Sequence, residues 1–416
     1  MFGMRETRRP DATLESRPAF WTGLDETTES TLAHSIALSP TRSQDRLLWE
    51  HVGYARFAAN SAIADFREEL DAGEWRNDRA LRPRWNARKA ELAPWAAHLS
   101  QNAAKNAIRN VGKAISGWGD HRRALREGRP ARYVGFPCWR KRGVHDSYQA
   151  DNGRGTVRVC GRSVRLPRTG WVKMREELRF AGEVTTVVVS NDGIRWYASI
   201  GVDTKTTPPP KRTGESVGID LGVSTLATLS DGTTIENPKV LTLAIASLRR
   251  VDKAIARSRN THGRNRQSNR REKLHRRRRR LHARVRHLRQ DFQHKATTAI
   301  AKRYARIGIE TLNISGMIGN RRLSRAIADA GMSSFVSMLR YKSELYGAET
   351  VRIDRWYASS RVCSGCGNRK AGLALSMREY RCHVCGLVMD RDENAANHAC
   401  RRDRAIIGRF ARAGKR

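Results

Sequence analysis

No run in the 416-residue chain approaches the roughly 18 consecutive apolar residues needed to span a bilayer. The N-terminal stretch MFGMRETRRPDATLESRPAF contains no apolar core of the kind a secretory signal requires. Acids are scarce: 41 Asp+Glu stand against 80 Lys+Arg, which leaves a net charge of +39. Such an imbalance creates a long-range field that draws polyanions and raises their association rate. Nucleic acid is the expected partner. A basic peripheral membrane protein is the rival, but no amphipathic anchor or lipidation signal accompanies the charge. Cysteines are few and odd in number, seven, so a disulfide framework is not expected. Four of them fall into two Cys-x-x-Cys pairs, which points to metal ligation in a reducing cytoplasm and to a soluble, cytoplasmic protein. Apolar residues at 39% still suffice for real cores, and the length allows two to four domains.

Residues 1–30 show no periodicity and read as a flexible leader. Ala33–Ser39 has strand character and ends at Pro40, within a strand segment placed at 31–42. A helical region follows over 43–130. Leu47, Leu48, Val52, Ala55, Ala59, Ile63, Phe66 and Leu70 recur at helical spacing, and Ala103, Ala107, Ile108, Val111 and Ile115 do so again over about 98–126. From 131 to 205 short apolar runs alternate with turn residues: Thr156–Val159, Val164–Leu166, Val184–Val189 and Trp196–Val202, the last two joined by Asn191-Asp192-Gly193. This pattern predicts a small β-barrel or sandwich. Trp139, Arg140, Lys141, Arg142, Trp171 and Lys173 interleave rings and cations, which suits contact with single strands; buried core tryptophans explain the same residues equally well. A proline-rich linker is placed at 206–213.

Residues 249–289 hold 18 Lys/Arg against only Asp252 and Glu272, with Arg276, Arg277, Arg278, Arg279 and Arg280 in succession. Leu274, Leu281, Val285 and Leu288 supply a single apolar seam. Like charges at this density oppose a helix, so the expectation is a helix that orders on a nucleic-acid backbone, with Arg270, Arg271, Lys273 and Arg276 to Arg280 as contacts.

Cys363-Ser-Gly-Cys366-Gly and Cys382-His-Val-Cys385-Gly are separated by 15 residues. Each pair presents two thiolates to one side, the following glycine lets the knuckle turn, and four sulfurs suit a structural Zn²⁺. His383 lies within the second knuckle as a bystander. Three acids stand in unusual places. Asp220 sits within Val217-Gly-Ile-Asp-Leu-Gly-Val223, Glu310 ends the apolar run Arg306-Ile-Gly-Ile309, and Asp392 opens a segment with Ala395, Ala396 and Ala399 on its packing side. Singly, each reads as a salt-bridged or turn-forming acid. Together, acids on two strands and one helix are the pattern by which an RNase H-like fold holds two divalent ions, Mg²⁺ or Mn²⁺, for phosphodiester cleavage.

Gly218-Ile219-Asp220-Leu221-Gly222, the segment from Ile309-Glu310 to Gly316-Met317, and the four-cysteine ribbon followed by Asp390-Arg-Asp392-Glu-Asn394-Ala-Ala396 resemble the TnpB proteins of insertion sequences. The opening Leu38-Ser-Pro40-Thr41, with Leu48-Trp49, Gly53, Arg56-Phe57 and Asn60, resembles that family too, so the likeness runs from about 35 to 400. It implies a multidomain α+β protein: a helical recognition domain (43–130), a β-barrel wedge domain (131–205), and an RNase H-like RuvC domain (214–362 and 387–400). A zinc ribbon (363–386) is inserted into the last, and a basic tail (401–416) follows. It further implies an RNA-guided DNA endonuclease in which Asp220, Glu310 and Asp392 bind Mg²⁺ and catalyse, Cys363, Cys366, Cys382 and Cys385 bind Zn²⁺, and the partners are a guide RNA and double-stranded target DNA. Thr311 departs from the family, which usually carries an acid there. A type V CRISPR effector, an RNA-guided regulator without cleavage, and a ribosome-associated zinc-ribbon protein are the alternatives; the acids argue against the second, and the third leaves them unexplained.

Overall fold

The computed structural model describes residues 30–73, 80–204, 209–262, 268–353, 361–370, 377–398 and 400. The chain divides into two compact units, Glu26–Thr207 and the residues from 208 onward. The leader, most of the proline-rich linker's first half and the basic tail lie outside the described residues. Among the described helices none is long and apolar enough to cross a membrane, and all seven cysteines are free of disulfides.

In the first unit, strand β1 (Ser30–Ser39) leads into helix α1 (Arg42–Asp71) through a capping box, in which Thr41 accepts from Gln44 N and Gln44 returns a bond to Thr41 N. Helices α2 (Leu81–Leu92) and α3 (Gln101–Arg126) follow. The strands β2 (Ser147–Asp151), β3 (Arg158–Cys160), β4 (Ser163–Leu166), β5 (Gly170–Met174), β6 (Glu183–Asn191) and β7 (Trp196–Thr204) complete the unit. They join β1 in one seven-stranded sheet of order β2-β6-β7-β1-β5-β4-β3. The expected barrel is therefore corrected to an open sheet, since its end strands β2 and β3 do not pair. The reason lies on α3. Asn106 donates to Gln149 O, Asn102 donates to Asp151 O, and Lys105 pairs with Asp151, so a helix covers the β2 edge that a closing strand would occupy. The 191–193 turn forms as read, with Asn191 Oδ1 accepting from Gly193 N. The segments at 147–151 and 170–174, not singled out as strands in the sequence, are strands. One hydrophobic cluster unites Leu48, Ile63, Phe66 and Ile115 of the helices with Ile36, Val172, Val187 and Ile200 of the sheet.

The second unit is built on β8 (Ser216–Leu221), β9 (Thr225–Leu229), β10 (Thr234–Glu236), β11 (Arg306–Glu310) and β12 (Glu349–Ile353). Their order is β10-β9-β8-β11-β12. The meander β8-β9-β10 is antiparallel, whereas β11 runs parallel to both β8 and β12. Parallel neighbours need crossovers. The long one from β10 to β11 carries α4 (Val240–His262) and α5 (Asn269–Arg303); the next carries α6 (Ile314–Ile318), α7 (Ser324–Ala330) and α8 (Met332–Leu345). At the β8–β9 turn a side chain on Gly222 would place its Cβ 2.6 Å from Thr225 O, so only glycine fits there.

The arginine-rich segment is already a helix pair. Arg271 pairs with Ser258, and Arg278 with Asp252 at 2.9 Å, which fixes α4 and α5 antiparallel. Leu248, Val251 and Ile255 of α4 and Ala283 and Val285 of α5 are buried. That burial, with Ser268 capping α5 and the Arg279–Glu272 pair, outweighs the repulsion that argued for order only on a polyanion.

Candidate functional site

Asp220 and Glu310 occupy the carboxyl ends of adjacent parallel strands. The register pairs Ile219 with Ile309, which sets the two acids side by side. In open α/β sheets this end of the strands is where ligands bind. Asp392 arrives from the helix over 391–398. Asp390 Oδ1 caps that helix, accepting from Asp392 N at 2.8 Å and Glu393 N at 3.2 Å.

The three acids feel one another. Burial first, then the negative charges of Glu310 and Asp392, push the Asp220 carboxyl up to about 7, against the opposing pull of Arg391 and the Leu221 N–H. Two arginines reach Asp392: Arg378 at 3.5 Å and Arg391 at 3.4 Å. An all-oxygen, mutually repelling donor set matches the chemistry of hard divalent ions such as Mg²⁺ or Mn²⁺. Its oxygens are spread more widely than one ion's coordination shell. Among the described residues only the four cysteines gather ligand atoms within 4.8 Å of one another.

Those cysteines fit zinc. Cys363 Sγ lies 3.5 Å from Cys385 Sγ, and Cys366 Sγ 3.6 Å from Cys382 Sγ; a tetrahedron with Zn–S near 2.3 Å has edges of roughly 3.8 Å. Gly367 and Gly386 hold φ at 79° and 72°, the left-handed turn each knuckle needs. The N–H groups of Cys385 and Val384 pull the Cys382 thiol down, while the crowded sulfurs of Cys363 and Cys366 push that of Cys385 up. His383 faces Asn368 rather than the sulfurs.

The knuckles are tied to the acids. Asn394, fully buried, accepts from Ser364 N at 2.9 Å and donates to Val362 O at 2.7 Å, and His398 Nε2 also meets Val362 O. Strands β13 (Glu379–Arg381) and β14 (Val388–Asp390) pair, and Arg391 N donates to Arg378 O at 2.7 Å. The hairpin that carries Cys382 and Cys385 thus also carries Arg378 to Asp392. Sequence reasoning missed Arg378, and gave Asp390 and Asn394 no role. The Asp-x-Asp spacing ahead of an alanine-rich helix signals the cap, whereas nothing local signals the arginine.

The eight cations expected to touch nucleic acid separate. Arg270, Lys273, Arg276, Arg277 and Arg280 are exposed; Arg278 and Arg279 carry ion pairs; Arg271 is buried and donates to Ser258 O at 2.7 Å. Arg271 therefore holds the helix pair together instead of facing outward.

Fold and sites define a strongly basic mixed α/β protein with a four-cysteine cluster docked against a carboxylate cluster. The family model described as "Probable transposase" matches residues 199–321, and the one described as "Cas12f1-like, TNB domain" matches 333–398. The Mycobacterium tuberculosis protein named "Putative RNA-guided DNA endonuclease MT2953" is 31% identical over 92% of this chain and 89% of its own length. The Escherichia coli "Putative RNA-guided DNA endonuclease InsQ" is 28% identical over 92% and 95%. A Streptomyces pristinaespiralis protein named "Putative RNA-guided DNA endonuclease" is 39% identical over 55% of each chain, so that match spans about half of either protein. A solved CRISPR-Cas12f ternary complex aligns with a TM-score of 0.35 at 12% identity, over 86% of this chain and 82% of that one. This chain belongs to the TnpB family.

Proposed function

We propose that the protein is an RNA-guided DNA endonuclease encoded by an insertion sequence, cutting both strands of a guide-matched target at one RuvC-type centre. The observation that carries this reading is the meeting of Asp220, Glu310 and Asp392, from two parallel strands and one helix, in a cluster where burial first and mutual repulsion second move the Asp220 carboxyl up to about 7. Such a cluster is costly to assemble unless cations neutralise it, and family membership supplies the context. The five-stranded sheet is read as the RNase H-like core. Two divalent ions, when bound, supply an activated water and stabilise the leaving oxygen in phosphodiester hydrolysis.

The chain's own residues do the rest. Asp220 and Glu310, fixed by strand register, provide ligand oxygens at a constant separation. Asp392 completes the set, and Asp390 orients it by capping the helix. Arg378, which pairs with Asp392 at 3.5 Å, would set a positive charge beside the acids to steady the developing negative charge of a phosphate bound there. Cys363, Cys366, Cys382 and Cys385 would hold zinc, which would stiffen the hairpin that carries Arg378, while Asn394 ties the first knuckle to the helix that carries Asp392. The guide RNA and target would be held through their backbones, with sequence read by base pairing.

The test is cleavage of a guide-matched plasmid by the protein co-expressed with its flanking DNA, in Mg²⁺. Asp220→Asn, Glu310→Gln and Asp392→Asn should each abolish cutting while RNA still co-purifies. Full cutting by any of the three variants overturns the site assignment.

A further inference from the structure

The segment between α3 and β2 has neither helix nor strand, yet it is firmly built. Phe136 packs edge-on against Trp118 and face-on against Phe66, with ring centroids at 5.1 and 6.2 Å, and Pro137 is buried beside it. Asn60 of α1 then grips the backbone of Arg140 twice: Arg140 N donates to Asn60 Oδ1 at 2.7 Å, and Asn60 Nδ2 donates to Arg140 O at 3.2 Å. A tight turn follows, with His145 N bonded to Lys141 O at 3.0 Å and Gly143 at φ 80°. Asp146 closes it by accepting from Gly143 N at 2.9 Å and pairing with Arg56 at 2.7 Å. Two side-chain anchors and an aromatic plug thus hold a loop in one shape.

What the loop presents is not core. Trp139 is 40% exposed, although this unit buries Trp85 and Trp196 almost completely. Arg67 lies 5.1 Å from the Phe136 centroid and 5.3 Å from that of Trp139, so the cation sits against both rings and fixes the indole's attitude. Lys141 and Arg142, two and three residues past Trp139, are exposed, and Tyr133 is 72% exposed on the same segment. The acid that closes the turn, Asp146, is committed to Arg56 and Gly143 N. Of the two readings left open by the sequence, this exposure argues against a core tryptophan at Trp139.

We propose that this loop is a stacking platform for an unpaired nucleotide, with the base on the open part of Trp139 and the flanking phosphates on Lys141 and Arg142. An exposed ring next to fixed cations matches a base next to its phosphates, and only an unpaired base offers its face. A duplex hides its bases, and a protein partner would have to answer the local positive charge with acids. The inference rests on the nucleic-acid reading above for the class of partner, but not on the carboxylate site. Guide RNA and displaced or unwound DNA offer the same chemistry.

Labelled oligouridylate and oligothymidylate, with a blunt duplex of equal length as control, would be titrated against the full chain. Trp139→Ala should weaken binding of a single strand roughly tenfold, Trp139→Phe should restore most of it, and duplex binding should change by less than about twofold. Asn60→Ala, which frees the loop but keeps the ring, should reproduce the loss. The double variant Lys141→Gln/Arg142→Gln should lower the salt slope for single strands by about 1.4, at about 0.7 for each phosphate contact. Ultraviolet crosslinking of Trp139 in the guide-loaded, target-bound complex then assigns the source, RNA or DNA, and either product supports the platform. Unchanged single-strand binding by Trp139→Ala, or equal loss on duplex, overturns it. If guided cleavage failed while the Trp139 pattern held, the nuclease reading would fall and the platform would stand.

Discussion

Replacing Asp220 by Asn should stabilise the protein while ending its activity. A carboxyl moved from 3.8 to about 7 costs the folded state about 4 kcal/mol once ionised in both states, at about 1.4 kcal/mol per tenfold change in proton affinity. Asp220 is partly open to solvent, and screening leaves about 2 kcal/mol as the working figure. The sign follows from the direction of the shift. A raised carboxyl is neutral in both states below about pH 4, and the folded state loses stability as pH climbs from there through about 7. Asn has no such dependence. The variant's advantage should therefore be under about 1 kcal/mol at pH 5 and near 2 kcal/mol at pH 8, a rise in Tm of roughly 4–8 °C for a unit of this size. The assay is a thermal scan at both pH values in buffer free of Mg²⁺, without a chelator strong enough to strip zinc. Adding Mn²⁺ should raise the Tm of the parent and leave the variant unmoved. A variant that melts at or below the parent at pH 8, or an advantage that does not grow with pH, would refute the electrostatic account.

Other outcomes follow from the same geometry. Cys382→Ser should lower bound zinc to below one per chain, expose residues 361–398 to proteolysis and abolish cleavage, as read by metal analysis, limited digestion and plasmid cutting. Asn394→Ala removes two buried hydrogen bonds that tie the helix over 391–398 to the first knuckle, about 2 kcal/mol at about 1 kcal/mol each. It should cut activity and weaken Mn²⁺ binding with zinc retained; unchanged Mn²⁺ affinity would count against the coupling. On α5, Arg270, Lys273, Arg277, Arg280 and Arg284 are exposed and recur at three- and four-residue steps, one face of the helix. Changing these to Gln should reduce the salt slope of duplex binding by up to about 4.5, at about 0.9 per contact. Arg271→Gln should leave that slope alone and lower the Tm instead, because its guanidinium serves Ser258.

Much of the site could be read from local pattern because its chemistry is written locally. Two Cys-x-x-Cys-Gly knuckles state their metal and their turn in five residues each, and their sulfurs meet as the spacing suggests. An acid at the end of a short apolar strand is conspicuous for the cost of burying it, which is how Asp220 and Glu310 stood out. Arg378 carried no such mark: an arginine near a turn is ordinary until the β13–β14 hairpin swings it to Asp392. The barrel was misread for a related reason. Strand patterns specify which faces are apolar, and edge closure depends on what covers the edge, here Asn102 and Asn106 of a helix some 45 residues upstream in sequence.

Charge, knuckle spacing, helical and strand periodicity and the three acids were determined by the sequence alone, since each depends on residue type and on neighbours within a few positions. Only the tertiary structure decided which of many similar residues does what. Strand register set Asp220 beside Glu310; packing of α4 on α5 buried Arg271 while leaving Arg270 in solvent; the loop before β2 leaves Trp139 40% exposed where Trp196 is covered. Arginines and tryptophans are chemically equal within their kind. Their fates differ because burial and pairing are set by partners distant in the chain, and only folding brings those partners into contact.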